Sequence, residues 1–356
     1  MKILMIGYLP PPYFGPSVTY QALLRSEFAR QFDVTFLDIT VAGRIDDIER
    51  FRLGKLIKML GFLLRELWLL LTQRFDFCCA PISVNRNAFL KDALLLRLAR
   101  WRGIPTVLYA HGNNLPDFHA KSSPRVQRLI ERTACRAAGA IVLGESLRFN
   151  FEKWLPAEKI FVVPTGIEPA DSRTTRDCRD GVTVLYLGNL VREKGVFVLL
   201  EAARLCPAVR FIFAGNWFRQ EDETAAQSLT GANVRFIGPV AGSSKGQALA
   251  NADILAFPTY YYNETMGLVL LEAMQAGLPV VTTRRASIPE IVRDGETGLL
   301  VAEQNASELA EKILRLAGDP VLRARLGAAG RLRFTEFYTH EAYGQRMIAV
   351  LEALRG

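Results

Sequence analysis

Short apolar runs alternate with longer stretches of helical periodicity along the whole chain. In the first half, Ile3–Leu9, Val34–Ile39, Phe77–Ile82, Thr106–Ala110, Ala140–Leu143 and Ile160–Pro164 read as buried strands. Helical patterns fall between them, near 17–31, 53–72, 88–101, 124–137 and 146–155. A polar stretch at 169–181, PADSRTTRDCRDG, is almost free of apolar residues and reads as a linker. The pattern then restarts with strands at Thr183–Leu187, Phe211–Ala214, Val234–Ile237, Ile254–Phe257 and Pro279–Thr282. The tail from 319 to 354 is helical, with Pro320 suited to its first turn. This alternation predicts α/β architecture with parallel sheets. The 356 residues suffice for two domains, each with its own core. The expected division is 1–168, a linker at 169–182, a second domain at 183–335, and a C-terminal helix at 336–356. In doubly wound sheets ligands bind beyond the carboxyl ends of the strands, so residues just after strands carry the functional reading.

One segment raises the question of a membrane. Residues 53–73, LGKLIKMLGFLLRELWLLLTQ, are strongly apolar, but Lys58, Arg65 and Glu66 interrupt the run. It falls short of the ~18 uncharged residues a spanning helix needs. Leu56, Leu60, Leu63, Leu67 and Leu70 recur at helical spacing and predict a core-facing helix. The second reading is an interfacial helix, with Met59, Phe62, Leu63 and Trp68 dipping in and Lys55, Lys58 and Arg65 at the headgroups. The opening MKILMIGYL lacks a small-residue cleavage pattern and reads as a first strand rather than a signal peptide.

Composition and charge narrow the classes. Half the residues are hydrophobic and 22% charged, as in a globular chain. Cys78, Cys79, Cys135, Cys178 and Cys206 are scattered with no CxxC, which argues against a zinc site or a disulfide framework and for buried apolar roles in a reducing cytoplasm. The net charge of +8 lies in residues 1–182, with 26 Lys/Arg against 18 Asp/Glu; the remainder carries 18 of each. No nucleic-acid motif accompanies it, so an anionic membrane surface is the better partner.

The chemistry concentrates after strands. In PTYYYNETMGLVLLEAMQAGLPVV, Glu264 sits on a loop and Glu272 about two turns into the following helix. Gly267 allows close backbone approach, and the N–H groups of Gly267, Leu268 and Val269 face outward with the helix dipole behind them, which suits a phosphate. Two carboxylates there accept hydrogen bonds from sugar and ribose hydroxyls. In LYLGNLVREKG, Lys194 and Arg192 suit a diphosphate. His111 in YAHGNN follows a strand. Gly15 and Ser17 lie in the stiff loop YLPPPYFGPSV, and Asn216 in the turn FAGNWF. His119 and His340 read as structural.

The segment around Glu264 resembles the Glu-x7-Glu motif of retaining GT-B glycosyltransferases, the family 4 group. The resemblance implies two Rossmann-like domains facing across a cleft, with the C-terminal helix crossing back to the first. It implies that Glu264 contacts donor-sugar hydroxyls and Glu272 the nucleotide ribose, with Thr265 and Met266 beside them. Lys194 matches the family's diphosphate-neutralising lysine; Asn189 stands where the family has arginine, and Arg192 is our inferred second cation. The HG pair is similar to the family's, which puts His111 near the reacting carbon. The loop at 10–17 resembles PPxxGG, with Pro16 in place of the second glycine. PEIVRDGETGLLV, with Glu290, and VVPTGIE agree with the family along nearly the whole chain.

Together these imply a glycosyltransferase moving a hexose-type sugar from a UDP- or GDP-linked donor, with retention and without a cofactor. The acceptor is a glycan or a polyprenyl-diphosphate-linked one in cell-surface polysaccharide synthesis. No Asp-x-Asp occurs to hold a divalent ion, so no metal is expected. The expected location is cytoplasmic, peripheral on the inner leaflet of the cell membrane. The alternatives are a non-catalytic sugar-nucleotide-binding partner and a GT-B epimerase.

Overall fold

A computed structural model describes residues 1–40, 53–112, 114–169 and 181–355, with side chains omitted at 53–56. The linker expected at 169–182 falls almost entirely outside the described residues, as do Cys178 and the side chains of Lys55 and Leu56. The chain divides into two units, Met1–Ile167 with His340–Gly356, and Glu168–Thr339.

In unit 1 the elements run β1 (Lys2–Gly7), α1 (Gly15–Arg25), α2 (Glu27–Gln31), β2 (Asp33–Asp38), α3 (Leu53–Thr72), β3 (Phe77–Pro81) and α4 (Arg86–Trp101). They continue through β4 (Thr106–Tyr109), α5 (Leu115–Lys121), α6 (Pro124–Cys135), β5 (Gly139–Val142), α7 (Phe149–Glu152) and β6 (Ile160–Val162). All six strands pair in parallel in the order β2-β1-β3-β4-β5-β6. The order reverses between β1 and β3, which opens a crevice at their carboxyl ends.

Unit 2 holds β7 (Thr183–Leu187), α8 (Val196–Leu205), β8 (Arg210–Ala214), α9 (Gln220–Leu229), β9 (Val234–Gly238), α10 (Gly242–Ala250) and β10 (Ile254–Phe257). After these come α11 (Leu268–Gln275), β11 (Val280–Thr283), α12 (Ile288–Ile291), β12 (Gly298–Val301), α13 (Ala306–Gly318) and α14 (Pro320–Phe337). The sheet is parallel, ordered β12-β11-β10-β7-β8-β9, and its switch point lies between β7 and β10. These are two Rossmann-like halves of a GT-B fold. Both sheets are covered on both faces, which is why their strands read as continuous apolar runs rather than alternating ones.

The last helix, α15 (His340–Ala353), belongs to unit 1. Its Gly344 lies so close to Ser26 that an added Cβ would come within 2.3 Å of the Ser26 hydroxyl oxygen. Glu341 pairs with Arg30 at 2.8 Å, and the Tyr343 and Tyr109 hydroxyls share a 2.6 Å hydrogen bond.

Two expectations need correction. The stripe on α3 is not the core face: Leu70 is buried, but Leu60 is exposed, and Leu63 and Leu67 are half-buried. The helix turns Glu66, Leu69 and Leu70 inward and Ile57, Leu60, Leu64, Trp68 and Leu71 outward. Leucines occur all round this helix, so spacing alone allowed more than one apolar face. Cys135, at the end of α6, is exposed, whereas Cys78, Cys79 and Cys206 are buried.

Candidate functional site

The switch point of unit 2 brings together the loops after β7 and β10. The chain leaves β7 through Gly188 and turns tightly over Arg192–Lys194 into Gly195 at φ +83°, which starts α8. Any Cβ at Gly195 would lie 2.1 Å from the Pro258 carbonyl oxygen, so only glycine lets the two loops meet. The Tyr260 N–H donates to the Glu193 carbonyl at 2.8 Å and joins the loops a second time. Across this seam Lys194 Nζ stands 3.5 Å from Glu264 Oε2. The ammonium also lies 5.8 Å from the ring centres of Phe257 and Tyr261. Burial pushes the Tyr261 hydroxyl up to about 12, so it is neutral beside this pair.

The Glu264 loop is fixed from its far side as well. Ser287 donates to the Thr265 carbonyl through its hydroxyl at 2.7 Å and its N–H at 3.2 Å. Thr265 and Met266 are buried, so their side chains pack inward. Gly267, at φ +67°, caps α11. The first-turn N–H groups of Gly267, Leu268 and Val269 have no acceptor within the helix and concentrate its positive end there. Further along α11, Glu272 Oε1 accepts from Lys245 Nζ on α10 at 2.6 Å.

Other expected donor residues have local partners. Arg192 directs Nη2 to Asp222 Oδ1 at 2.9 Å and lies 3.9 Å from the Phe197 ring centre, which joins its loop to α9 and α8. The Asn189 carbonyl accepts from the Tyr186 hydroxyl at 3.0 Å. Asn216 is exposed, and its carbonyl accepts the Leu190 N–H at 2.8 Å. The turns after β7 and β8 are thereby tied together.

In unit 1, Ser17 is fully buried; its hydroxyl donates to the Pro12 carbonyl at 2.8 Å and accepts the Phe14 N–H at 3.1 Å. It caps its own helix and holds the proline loop. Gly15, at the start of α1, has open space where a side chain would be. His111 follows β4, its ring centre 4.1 Å from Tyr109 and 5.2 Å from Tyr20. Burial lowers its imidazole to about 3, so it is neutral at physiological pH. His119 pairs with Glu131 at 2.9 Å and His340 lies 3.5 Å from Glu341.

Two features escaped the sequence reading. Lys245 is one of only three lysines after residue 182, and that scarcity was the available signal. The second is a buried pair, Lys91 and Asp92, on the inner face of α4. Asp92 falls on the stripe formed by Phe89, Ala93 and Leu96, where an apolar residue is expected.

Comparison with known proteins agrees with this architecture. Residues 18–171 match the family described as Glycosyltransferase Family 4, and residues 174–333 the family Glycosyl transferases group 1. The chain is 32% identical over 286 residues to a D-inositol 3-phosphate glycosyltransferase of Actinosynnema mirum, covering 69% of this chain and 68% of the relative. It is 35% identical over 157 residues to a phosphatidyl-myo-inositol mannosyltransferase of Mycobacterium leprae, covering 43% and 41%. The Anabaena protein HepE, solved with UDP-glucose, superposes with a TM-score of 0.73 at 19% identity, covering 99% of this chain and 100% of that one. With this fold, these family matches and the extent of the Actinosynnema likeness, the chain belongs to the family 4 glycosyltransferases.

Proposed function

We propose that the chain transfers a hexose-type sugar, with retention, from a UDP- or GDP-linked donor to a glycan or lipid-linked acceptor in cell-surface polysaccharide synthesis. The observation that carries this reading is the Lys194–Glu264 pair, 3.5 Å apart at the switch point of unit 2 beside the first turn of α11. An incoming diphosphate takes the Lys194 ammonium and the N–H groups of Gly267, Leu268 and Val269. That exchange frees Glu264 to accept from sugar hydroxyls. Glu272, steadied by Lys245, accepts from the ribose. As the sugar–phosphate bond breaks, Lys194 and the helix terminus stabilise the charge on the leaving diphosphate, and the reaction needs no metal. His111, neutral at working pH, is assigned to the donor sugar by its HG resemblance. The UDP-glucose bound by HepE supports a sugar-nucleotide donor. A thermal-shift and hydrolysis screen over UDP- and GDP-sugars, run in excess chelator, tests the reading. One sugar nucleotide should raise the melting temperature and be turned over. Activity that vanishes with chelator and returns with Mg²⁺ or Mn²⁺ removes the metal-independent mechanism.

We further infer that the protein works at an anionic cytoplasmic leaflet. Among the described residues no helix is long and apolar enough to cross a membrane. Yet α3 exposes Ile57, Leu60, Leu64, Trp68 and Leu71, and the adjacent α4 exposes Leu90, Leu94 and Trp101. Exposed cations, Lys58, Arg65, Arg74, Arg86, Arg97 and Arg102, lie along these helices and their ends, against one exposed acid, Asp76, in the loop after α3. Apolar residues flanked by cations suit a lipid interface. The mannosyltransferase relative, whose name specifies a phosphatidyl-inositol, supports a lipid-linked acceptor.

A further inference from the structure

One short turn meets Lys194 with two groups of different kind. The Glu264 N–H donates to the Tyr261 carbonyl at 3.0 Å and closes a four-residue turn, Tyr261–Glu264. The first residue of that turn sets its ring centre 5.8 Å from Lys194 Nζ, and the last sets a carboxylate oxygen 3.5 Å from the same atom. Phe257, at the end of β10, places a second ring centre 5.8 Å away. Two aromatic rings and one carboxylate therefore hold a single ammonium.

The two rings differ in what else they do. Phe257 is 2% exposed and lies 6.0 Å from Tyr186, so it belongs to the core whatever its effect on Lys194. Tyr261 is half-buried on a loop. The backbone beneath it is tied down. Its N–H donates to the Thr259 hydroxyl at 3.2 Å, and Thr282 and Thr283 of β11 donate their hydroxyls to the carbonyls of Phe257 and Thr259. Tyr262 meets the Tyr261 ring edge-on, with centres 5.1 Å apart. This support keeps the ring in one place over the lysine.

Ring and carboxylate are not equivalent partners when a donor arrives. On the donor-site reading above, Glu264 turns to the sugar hydroxyls and leaves Lys194 to the diphosphate. The flexible four-carbon stem of the lysine then has other rotamers open to it. Arg192, on the neighbouring turn, is taken up by Asp222. An aromatic face attracts an ammonium through its quadrupole and, unlike a carboxylate, carries no net charge to repel phosphates. We infer that Tyr261 is a positioning residue for the transfer: its ring face keeps the Lys194 ammonium on the leaving diphosphate once Glu264 has turned away. This role presupposes that donor site. The Tyr261 hydroxyl has no part in it, so phenylalanine serves as well.

Turnover by the full chain tests this role. The substrates are UDP-glucose, UDP-galactose, UDP-N-acetylglucosamine and GDP-mannose, and the one that the wild type hydrolyses fastest is used throughout. Tyr261→Phe should keep the wild-type kcat. Tyr261→Leu should lower it roughly fivefold, the size of one cation–ring contact. Replacing Tyr261 by 4-fluoro-, 3,5-difluoro- and pentafluorophenylalanine should lower kcat stepwise, because fluorine drains the ring face while nearly preserving its shape. A purely structural ring would not follow the fluorine count. In the Lys194→Ala background, Tyr261→Leu should cost nothing further. The role is overturned if Tyr261→Phe falls as far as Tyr261→Leu, if kcat is flat across the fluorinated series, or if Tyr261→Leu costs as much without Lys194 as with it. Should Tyr261→Leu fail to fold, the fluorinated series decides alone. A wild type that hydrolyses none of these sugar nucleotides, or a Lys194→Ala chain with wild-type kinetics, sinks the donor site and this role with it. A slow Lys194→Ala chain beside a flat fluorinated series sinks only the role of Tyr261.

Discussion

Lys194 and Lys245 hold the two glutamates of the motif, and their removal should be felt in different constants. If Lys194 meets the charge of a diphosphate as proposed, Lys194→Ala should lower kcat/KM by roughly 1.5–3 kcal/mol of transition-state stabilisation. Its fold should be intact, since the side chain is partly exposed. Lys245 grips Glu272 at 2.6 Å, in the second turn of α11 and eight residues beyond Glu264. Lys245→Met should weaken nucleotide binding severalfold by isothermal calorimetry and leave turnover at saturating donor nearly unchanged. Equal loss of both constants in the two variants would remove the division of labour. Glu264 and Glu272 were legible in the sequence because their spacing is local to one loop and one helix. Lys245 was not, because its partner lies 27 residues away, and only the fold brings α10 to α11. Arg192 shows the converse limit. A cation near a phosphate loop is visible in sequence, but its engagement by Asp222 is a tertiary contact.

At the scale of an element, α3 was readable as a helix but not in its rotation. Its length and period were plain from the leucines. The inward face carries Leu69, Leu70 and also Glu66, which is fully buried with neither carboxylate oxygen hydrogen-bonded. Burial raises this carboxyl from its ordinary 4.5 to about 9. The folded chain therefore keeps it protonated at neutral pH while the unfolded chain ionises it. The sign follows directly: its contribution to stability is complete below about pH 4.5 and falls away as the pH rises toward 9. At pH 7 the accumulated loss is on the order of 3 kcal/mol. Glu66→Gln removes the titration. Its melting temperature should match that of wild type near pH 5 and exceed it increasingly from pH 7 to 9. Parallel curves across that range would show that Glu66 does not titrate in this way. Helix α13 went unread, as did two shorter elements, α5 and β12, each of which is brief and adjoins a glycine-bearing turn that masks its period. The strands around them were legible to within two residues, since a parallel sheet buries both faces and leaves unbroken apolar runs.

For the whole molecule, alternation gave two α/β halves but not the order of strands within either sheet, which depends on crossovers that periodicity does not record. The switch points, and hence the Lys194–Glu264 seam, became visible only with that order. Charge was legible throughout. Its entire excess of +8 lies in residues 1–182, and the structure adds that the exposed apolar stripe of α3 and its neighbour α4 belongs to the same half. Each cation near an anionic surface contributes about 1 kcal/mol, and that attraction is screened over about 8–10 Å at moderate salt. The apolar contribution is not screened. Co-sedimentation with vesicles should therefore be strong for anionic lipid at low salt, weaker but measurable at high salt, and slight for zwitterionic lipid. Leu64→Glu combined with Trp68→Glu changes exposed positions only, so the variant should fold and bind sugar nucleotide as before. It should lose the binding that survives high salt and retain part of the salt-sensitive component through Arg74, Arg86, Arg97 and Arg102. A wild type that ignores anionic vesicles at every salt concentration would end the peripheral-membrane reading and point to a soluble acceptor. A double variant that binds like the wild type would mean that α3 is not the face that meets the lipid.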